Sequence, residues 1–305
     1  MSNSRYTPNL ISVILPAYNT PEEFLRDAVE SVIAQTCTNW ELLVIDDSTV
    51  ASVEKIVLSY NDERIKYFRN PENIGMAATR NRGLELAKGE FIALLDHDDI
   101  WLPEKLAKQL EIMLQCECNM CYSPVLFIGD KSGKSVIHHN ITFQELVMKH
   151  NIVSCSCVCL RASLIKKFKL KFLQQAVPTD DLAMWLAVAL YGGNIECTDE
   201  FLVCYRVHST NESRVPLACY HTYDWIFKDI TCKLLKTSNT LSYKLKSVIL
   251  ILRSRAWVCR KLARDDDSIS YKQKLHYAFK AILINPIHPQ GWILLIKLLL
   301  GVSCE

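Results

Sequence analysis

Three carboxylates stand within four positions at the end of one apolar stretch. Residues 91–95 are all apolar and predict a buried strand, and Asp96, Asp98 and Asp99 follow it directly. Like charges at this spacing repel one another unless a cation lies among them. Because these are hard oxygen ligands with no cysteine nearby, they favour Mg²⁺ or Mn²⁺ over Zn²⁺. The stretch predicts a divalent cation site; the alternative is a solvated acidic turn that caps a helix beginning at Pro103.

Two further pairs of acidic residues mark predicted element ends. Asp46 and Asp47 close an apolar strand at residues 40–45. Asp180 and Asp181 precede an apolar helix that begins at Leu182. Acidic residues at a helix start interact favourably with its dipole, so each pair is open to two interpretations, as helix caps or as chemically active groups.

The elements around these residues predict a parallel sheet. Strands at 11–16, 40–45, 64–68 and 91–95 alternate with three helices. Right-handed crossovers then give an α/β fold with a mostly parallel central sheet and helices on both faces. In such sheets ligands bind at the carboxyl ends of the strands. We therefore expect the loop at 16–19, the pair at 46–47 and the acidic stretch at 96–99 to meet in one crevice.

The second half of the chain is less regular. Strands are predicted at 120–128, 153–160 and 201–207, with a hairpin-like turn at 129–134. Cys155, Cys157 and Cys159 alternate as on one face of a strand. From about Tyr220 the pattern is helical. The predicted division is a tail at 1–9, a catalytic domain at 10–215 with a nucleotide-binding half (10–100) and an acceptor half (101–215), and a C-terminal helical region at 216–305.

Composition restricts the class of protein. The chain has 305 residues, of which 50% are hydrophobic, so it can form a globular core. Residues 1–9 lack the apolar core of a signal peptide, and no uninterrupted apolar run is long enough to span a membrane. We expect a cytoplasmic protein in which the thirteen cysteines are free thiols.

Charge is unevenly distributed along the chain. Residues 224–305 contain 14 Lys and Arg against 6 Asp and Glu, a net of +8, whereas residues 1–223 contain 21 against 27, a net of −6. A basic region with apolar faces suits peripheral contact with the inner face of a membrane. The alternative is a solvated basic helical cap. We expect no nucleic-acid partner.

Five sequence blocks follow one another along the chain: Val13 to Asn19, Val44 to Ser48, Asn73 to Gly75 with Arg80 to Gly83, Gly89 to Ile92, and Asp96 to Asp99 with Trp101 to Pro103. Two further segments lie downstream, Asp180-Asp181 with Trp185-Leu186, and Tyr205 to His208 with Asn211. In this order they resemble family 2 glycosyltransferases, which are inverting enzymes with a type A nucleotide-diphospho-sugar-binding fold, and the similarity covers residues 10 to about 212.

This resemblance implies a donor site at the carboxyl edge of the sheet. A nucleotide-sugar, most often a UDP-sugar, would lie there, with Mg²⁺ or Mn²⁺ bridging its diphosphate. Asp98 would be the principal metal ligand, Asp96 would contact the ribose or the metal, and His208 could reach the metal from its loop. Arg80 would pair with phosphate or else be an exposed helix residue. Pro16, Ala17 and Tyr18 would shape the base pocket, in which Asp46 or Asp47 accepts from the base or ribose.

The resemblance also implies the reaction. Alignment on Trp185 makes Asp181 the general base that takes the proton of an acceptor hydroxyl, with Asp180 as its partner. Two departures concern the acceptor side: Ala187 replaces a frequent arginine, and the usual Gly-Gly-Phe-Asp turn is missing between Lys166 and Pro178. The Gln-x-x-Arg-Trp motif of processive synthases is also not seen, so single-sugar transfer is favoured over polymerisation.

The predicted function is transfer of a sugar to a hydroxyl of a glycan or lipid-linked acceptor in cell-surface polysaccharide biosynthesis. Two alternative functions are open to a protein with this predicted sheet. A sugar-phosphate nucleotidyltransferase would need a glycine-rich, lysine-bearing loop after the first strand, and residues 16–21 contain neither residue type. A catalytically inactive nucleotide- or carbohydrate-binding module is disfavoured by the presence of Asp98 and Asp181.

Overall fold

The computed structural model describes residues 6–49, 52–139, 141–150, 153–209, 211, 216–266 and 269–300. Residues 1–5 of the predicted tail and residues 212–215, directly before the predicted C-terminal region, lie outside the described residues.

A seven-stranded sheet forms the centre of the molecule. Its strands, in spatial order, are β10 (Ile195–Cys197), β6 (Met120–Tyr122), β9 (Val158–Arg161), β4 (Gly89–Leu94), β1 (Thr7–Ala17), β2 (Trp40–Asp46) and β3 (Ile65–Arg69). All neighbouring pairs are parallel except those made by β9, which runs antiparallel to β4 and β6. The predicted mostly parallel sheet is therefore confirmed.

The order of the first four strands explains how the acidic segments meet. β1 lies between β2 and β4, with Val13 level with both Leu42 and Ala93. Since all three strands are parallel, their carboxyl ends share one edge. Asp46 ends β2 level with Ala17, and Asp96 follows two residues after β4.

Helices cover both faces of this sheet and continue beyond it. Between β1 and β6, the chain forms α1 (Glu22–Ile33), α2 (Ser52–Leu58), α3 (Met76–Leu86) and α4 (Lys105–Gln115). The second half adds α5 (Phe143–Lys149), α6 (Ala162–Phe168) and α7 (Asp180–Tyr191). The C-terminal region consists of α8 (Pro216–Leu235), α9 (Leu241–Asp265), α10 (Tyr271–Ile284) and α11 (Pro289–Leu300), so the predicted helical extension is confirmed.

The predicted strand at 120–128 is two strands in two sheets. β6 ends at Tyr122, and β7 (Val125–Gly129) belongs to a second sheet of order β5 (Ile100–Trp101), β11 (Val203–Val207), β7 and β8 (Gly133–Lys134). Pro124 separates them, because proline has no N–H to donate to a strand partner. The hairpin at 129–134 is confirmed, since β7 pairs antiparallel with β8.

The alternating cysteines do not lie on one strand. Residues Cys155–Cys157 form a short 3₁₀ helix, and strand β9 begins only at Val158. All three residues of this turn are buried, whereas a strand would direct Ser156 to the face opposite the two thiols. The described cysteines are free thiols, as predicted.

The first part of the helical region shares the main hydrophobic core. Tyr223, Phe227 and Ile230 of α8 and Ile251 and Val258 of α9 belong to the same buried cluster as the sheet. Helices α10 and α11 pack instead in a smaller cluster with the end of α9, formed by Ala263, Ala278, Ile282, Leu294, Leu295 and Leu298. In the part of the chain that the structure describes, no helix is long and apolar enough to cross a membrane.

Candidate active site

Asp98 lies against the loop that follows β11. Its Oδ2 is 2.8 Å from Nε2 of His208 and accepts a hydrogen bond of 3.2 Å from the side-chain amide of Asn211. Asn211 Oδ1 accepts a 2.6 Å bond from the backbone N–H of His208, so the loop is held in place by its own side chain. The structure thus brings together two side chains predicted as metal ligands, although they are 110 positions apart in the sequence.

Asp99 is buried beneath this cluster. Its Oδ1 accepts a 2.8 Å bond from the backbone N–H of Arg206, while Oδ2 is buried and has no hydrogen-bond partner. Burial, followed by repulsion from Asp98 and Asp96, raises the pKa of Asp99 well above its usual range. The alternative of a helix-capping acidic turn is wrong, because strand β5 follows at Ile100 and helix α4 begins only at Lys105, with no side-chain cap.

Arg80 joins the donor side of the site to the acceptor side. Its Nη2 donates to Oδ1 of Asp96 at 2.8 Å, and its Nη1 donates to Oδ2 of Asp180 at 2.9 Å. The predicted alternative of an exposed helix residue is wrong, since Arg80 is buried. Arg80 lies on α3 one turn after Gly75, so the helix start directs it toward the sheet edge. One guanidinium therefore fixes two carboxylates from distant segments.

The 3₁₀ turn at Cys155–Cys157 supports the same region. Oγ of Ser156 accepts a 3.0 Å bond from the backbone N–H of Asp96, and its carbonyl accepts a 2.8 Å bond from the indole of Trp101. Burial raises the pKa of the Cys155 thiol, and the negative charges of Asp96, Asp181 and Asp180 act in the same direction. This turn accordingly lies among the carboxylates of both halves.

Asp46 and Asp47 are buried at the end of β2 with different partners. Asp46 accepts from the hydroxyl of Tyr67 at 2.6 Å and from the N–H of Ser48 at 2.9 Å. Asp47 accepts from the amide of Asn70 and from the backbone N–H groups at 74 and 75, at 2.7 to 2.9 Å. Asp47 thus holds the loop that leads into α3.

Pro16, Ala17 and Tyr18 lie at the carboxyl end of β1, beside the end of β2. Pro16 and Ala17 end β1 in register with Ile45 and Asp46, and Ala17 is buried. Tyr18 is 43% exposed just beyond the strand. The aromatic ring therefore stands at the open edge of the sheet, level with the end of β2.

Asp181 is the second residue of α7 and is nearly buried. Its Oδ1 accepts a 2.7 Å bond from the N–H of Leu182. Thr179, just before the helix, shares a 2.5 Å hydrogen bond with Thr222 of α8, which ties the start of α7 to the helical region. Two carboxylates at one helix N-terminus are favoured by the helix dipole.

The residues present fit a cation that is completed by substrate. Among the described residues, no group of three or more His, Cys, Asp and Glu side chains could hold a metal ion alone. Mg²⁺, however, is usually bound by one or two carboxylates together with substrate phosphates. Asp98 Oδ2 and His208 Nε2 lie 2.8 Å apart, so one ion would reach both atoms in place of the contact between them. The carboxylate oxygen suits Mg²⁺ or Mn²⁺, and the imidazole nitrogen, a ligand typical of transition metals, favours Mn²⁺ of the two.

Four residues that support the site have no role predicted from the sequence. Tyr67, Ser156 and Asn211 bond directly to site residues, and Arg206 bonds both to the Asp98 carbonyl and to the Asp27 carboxylate. Arg206 and Asn211 carry a signal, because both belong to the segments that resemble the family. Tyr67 and Ser156 lie in a strand and a turn whose polar side chains have no distinguishing pattern.

A domain with this sheet and this acidic edge belongs to the class of enzymes that bind nucleotides at the carboxyl ends of parallel strands. The family model described as glycosyl transferase family 2 matches residues 12–175. The chain belongs to this family, and it is a glycosyltransferase with the type A fold, as the sequence resemblance implied.

Two curated relatives cover most of the catalytic region. One is the UDP-Glc:α-D-GlcNAc-diphosphoundecaprenol β-1,3-glucosyltransferase WfgD of Escherichia coli, 34% identical over 206 residues, which are 67% of this chain and 79% of that protein. Another is the putative teichuronic acid biosynthesis glycosyltransferase TuaG of Bacillus subtilis, 30% identical over 225 residues, which are 70% of this chain and 87% of that protein.

Solved structures share the fold at low identity. TarS 1–349 of S. aureus in complex with UDP-GlcNAc gives a TM-score of 0.76 at 15% identity, covering 97% of this chain and 93% of that chain. The mannosyltransferase PcManGT of Pyrobaculum calidifontis, in complex with GDP-Man and Mn²⁺, gives 0.59 at 14% identity, covering 95% and 87%.

Proposed function

We propose that the protein is an inverting, metal-dependent glycosyltransferase that moves one sugar from a nucleotide-diphosphate donor to a hydroxyl of a glycan or lipid-linked acceptor in cell-surface polysaccharide biosynthesis. The observation that carries this proposal is the Arg80 bridge, because it links Asp96 at the donor edge to Asp180 at the start of α7. The bridge thus connects the proposed donor edge to the residue directly before the proposed base, Asp181. A UDP-sugar is favoured, since WfgD by name uses UDP-Glc and TarS was solved with UDP-GlcNAc.

In this proposal the nucleotide lies across the carboxyl edge of the central sheet. Pro16, Ala17 and Tyr18 frame the base, and the buried carboxylates of Asp46 and Asp47 accept from the base or ribose or hold the loops that do so. Asp96, fixed by Arg80 and by Ser156, faces the ribose. Because Arg80 is already engaged by two carboxylates, its proposed role changes from pairing with phosphate to positioning Asp96 and Asp180.

Asp98 and His208 would hold the cation, with Asp96 near it. When bound, the ion neutralises charge on the leaving diphosphate. Burial and the neighbouring carboxylates raise the pKa of Asp99, whose buried Oδ2 is unpaired, and so favour its neutral form, which would limit the negative charge of the cluster. Asn211 and Arg206 keep the His208 loop against Asp98.

Asp181 would act as the general base. Inversion at the anomeric carbon needs one group on the face opposite the leaving diphosphate to take the acceptor proton, and such a group contributes about 10²- to 10⁴-fold in rate. The hydrogen bond from Leu182 N to Oδ1 orients the Asp181 carboxylate at the start of α7. Asp180, bound to Arg80, would hold the start of α7 in place.

The domain division at 10–100, 101–215 and 216–305 remains a proposal, as does a cytoplasmic location. We also propose that the basic C-terminal helical region makes peripheral contact with the inner face of a membrane. The support is its net charge of +8 from residue 224 onward, and the diphosphoundecaprenol acceptor in the name of WfgD.

Nucleotide-dependent thermal stabilisation tests the donor site. UDP with Mn²⁺ should raise the unfolding midpoint of the parent protein, and Asp98→Ala should abolish this shift while leaving the midpoint without ligand nearly unchanged. GDP and TDP serve as comparison ligands. If neither UDP nor any other nucleoside diphosphate shifts the midpoint of the parent protein, the donor-site model is wrong.

A further inference from the structure

A basic cavity is lined by residues that take no part in the proposed active site. It has a volume of about 800 Å³ and lies where the end of α5 meets α9 and the start of α11. Lys149, Arg253 and Arg260 line it together with His150 and His288, and none of its lining residues in the described structure is acidic. Trp257, Met148 and Ile287 supply apolar surface beside these charges. The cavity therefore combines a positive potential with an apolar wall.

Two polar groups of this cavity have no partner. Nη1 of Arg260 and Nδ1 of His288 are buried nitrogen atoms with no hydrogen-bond acceptor. Arg253 is exposed and forms no ion pair with any carboxylate among the described residues. By contrast, Lys149 is paired with Glu145 at 3.2 Å. A buried guanidinium nitrogen without an acceptor costs free energy, so its retention points to an anionic ligand.

The basic cavity continues into a second groove along α11. This groove, of about 210 Å³, shares Trp257 and Arg260 with the first cavity and is also lined by Lys261, Ile293 and Lys297. Ile293 belongs to the exposed side of α11. The cationic surface is therefore continuous with the apolar side of that helix.

Helix α11 presents an apolar face that no described residue covers. Its exposed apolar side chains recur at helical spacing and occupy about a third of the helix circumference. Leu294, Leu295 and Leu298 on the opposite face are buried in the smaller core cluster. The exposed members are Trp292 (48%), Ile293 (53%), Ile296 (53%), Leu299 (58%) and Leu300 (72%).

We propose that this surface docks on a membrane of anionic phospholipids. The apolar face of α11 enters the interfacial layer, and a headgroup phosphate occupies the basic cavity between Arg253 and Arg260. At 12 residues the helix is about 18 Å long, too short to cross a bilayer but suited to lying in its interface. Charge complementarity selects this occupant, because neither Arg253 nor Arg260 is ion-paired with a carboxylate in the part of the chain that the structure describes.

The proposed docking surface lies on the acceptor side of the enzyme. His150, which lines the cavity, stacks on Tyr223 of α8 at 4.8 Å between ring centroids. The preceding residue of α8, Thr222, bonds to Thr179 at the start of α7, directly before Asp180 and Asp181. Docking through this surface would bring the proposed base close to the lipid. The functional role of this docking rests on the proposed lipid-linked acceptor. Membrane binding, however, can be measured without any sugar transfer.

Vesicle flotation of the full chain tests the proposal. Vesicles of phosphatidylcholine with about 30% phosphatidylglycerol are compared with vesicles of pure phosphatidylcholine. The anionic lipid gives the first kind a negative surface potential. We expect partition into the anionic vesicles and little into the neutral ones. Replacing both Arg253 and Arg260 by glutamine should lower the partition coefficient for anionic vesicles by more than tenfold, because each cation contributes a factor of roughly five. Ile296→Asn should lower it further.

Matched controls lie on α2, at the other end of the sheet. Lys55→Gln removes one exposed cation and Leu58→Asn removes one apolar side chain that is 66% exposed, so neither should alter partition. Arg260→Lys keeps the charge and should retain most binding, and each variant's unfolding midpoint reports whether it folds.

Three outcomes would overturn the proposal. The parent protein floats with neither vesicle, the neutral vesicles bind it as well as the anionic ones, or the α11 and cavity variants partition like the α2 controls. A concentration-dependent dimer that Ile296→Asn dissociates would instead assign the apolar face to a second copy of the chain. If the parent protein floats with the anionic vesicles but transfers no sugar, the proposed function is wrong and the proposed docking surface is retained.

Discussion

Replacing Arg80 by alanine should damage both stability and activity. The Arg80 side chain is 8% exposed and neutralises Asp180, at 4%, and Asp96, at 22%. Its removal leaves two carboxylates without their cation, and breaking a buried ion pair from one side typically costs about 3–5 kcal/mol. We expect the unfolding midpoint to fall by roughly 10 °C at neutral pH.

A double-mutant cycle with Asp180→Asn isolates the pair. If the bridge is energetically coupled, Asp180→Asn should cost less in the Arg80→Ala background than in the parent protein. Arg26→Ala is the matched control, since Arg26 forms a surface ion pair with Glu22 on α1 and its loss should be small. Urea denaturation of the four proteins gives the required free energies. Additive effects, or an Arg80→Ala variant as stable as Arg26→Ala, would refute the reasoning.

Two further substitutions test the packing that supports the site. Lys105 is fully buried with its Nζ 3.8 Å from the Trp101 ring centroid, and burial lowers its pKa from 10.5 to about 8. Its protonation is thus disfavoured in the folded state, a penalty fully present below pH 8 and absent above pH 10.5. Lys105→Met should therefore raise the free energy of unfolding by up to about 3 kcal/mol at pH 7 and by less at pH 9.5. A gain that does not vary between these pH values in urea titrations would contradict this. Gly83→Ala would place a Cβ 2.4 Å from Cγ2 of Ile14, so helix α3 would be pushed from β1 and stability should fall by about 1–3 kcal/mol. An unchanged midpoint by circular dichroism would show that the helix can shift freely.

The first half of the fold could be predicted because its strands are long, apolar and separated by helices of clear periodicity. Strand β1 extends to Thr7, beyond the predicted start at 11, because polar residues continue the pairing at its exposed end. The secondary structure of the second half could be predicted less well, because β6, β7 and β9 are only three to five residues long and belong to two sheets. Periodicity cannot distinguish such short segments from turns.

The candidate site, like the fold, could be predicted only in part from the sequence. Asp96, Asp98 and Asp181 stand at ends of regular elements, so their convergence follows from strand order and helix starts. The burial of Arg80 could not be predicted, because its partner Asp180 lies 100 positions away and no local pattern reports that separation. The pairing of Asp98 with His208 depends likewise on β11 joining the second sheet beside β5.

The most direct test of the account separates nucleotide binding from sugar transfer at Asp181. UDP release and product formation are measured for the parent protein and for Asp181→Asn, with a panel of UDP-sugars and of lipid-linked sugar acceptors, the acceptor class proposed above. Because Asp181 is proposed to act on the acceptor proton alone, the variant should keep the stabilisation by UDP and Mn²⁺. Its transfer rate should fall by about 10²- to 10⁴-fold. Transfer by Asp181→Asn at a rate near that of the parent protein would contradict the assignment of the base, and with it the proposed mechanism.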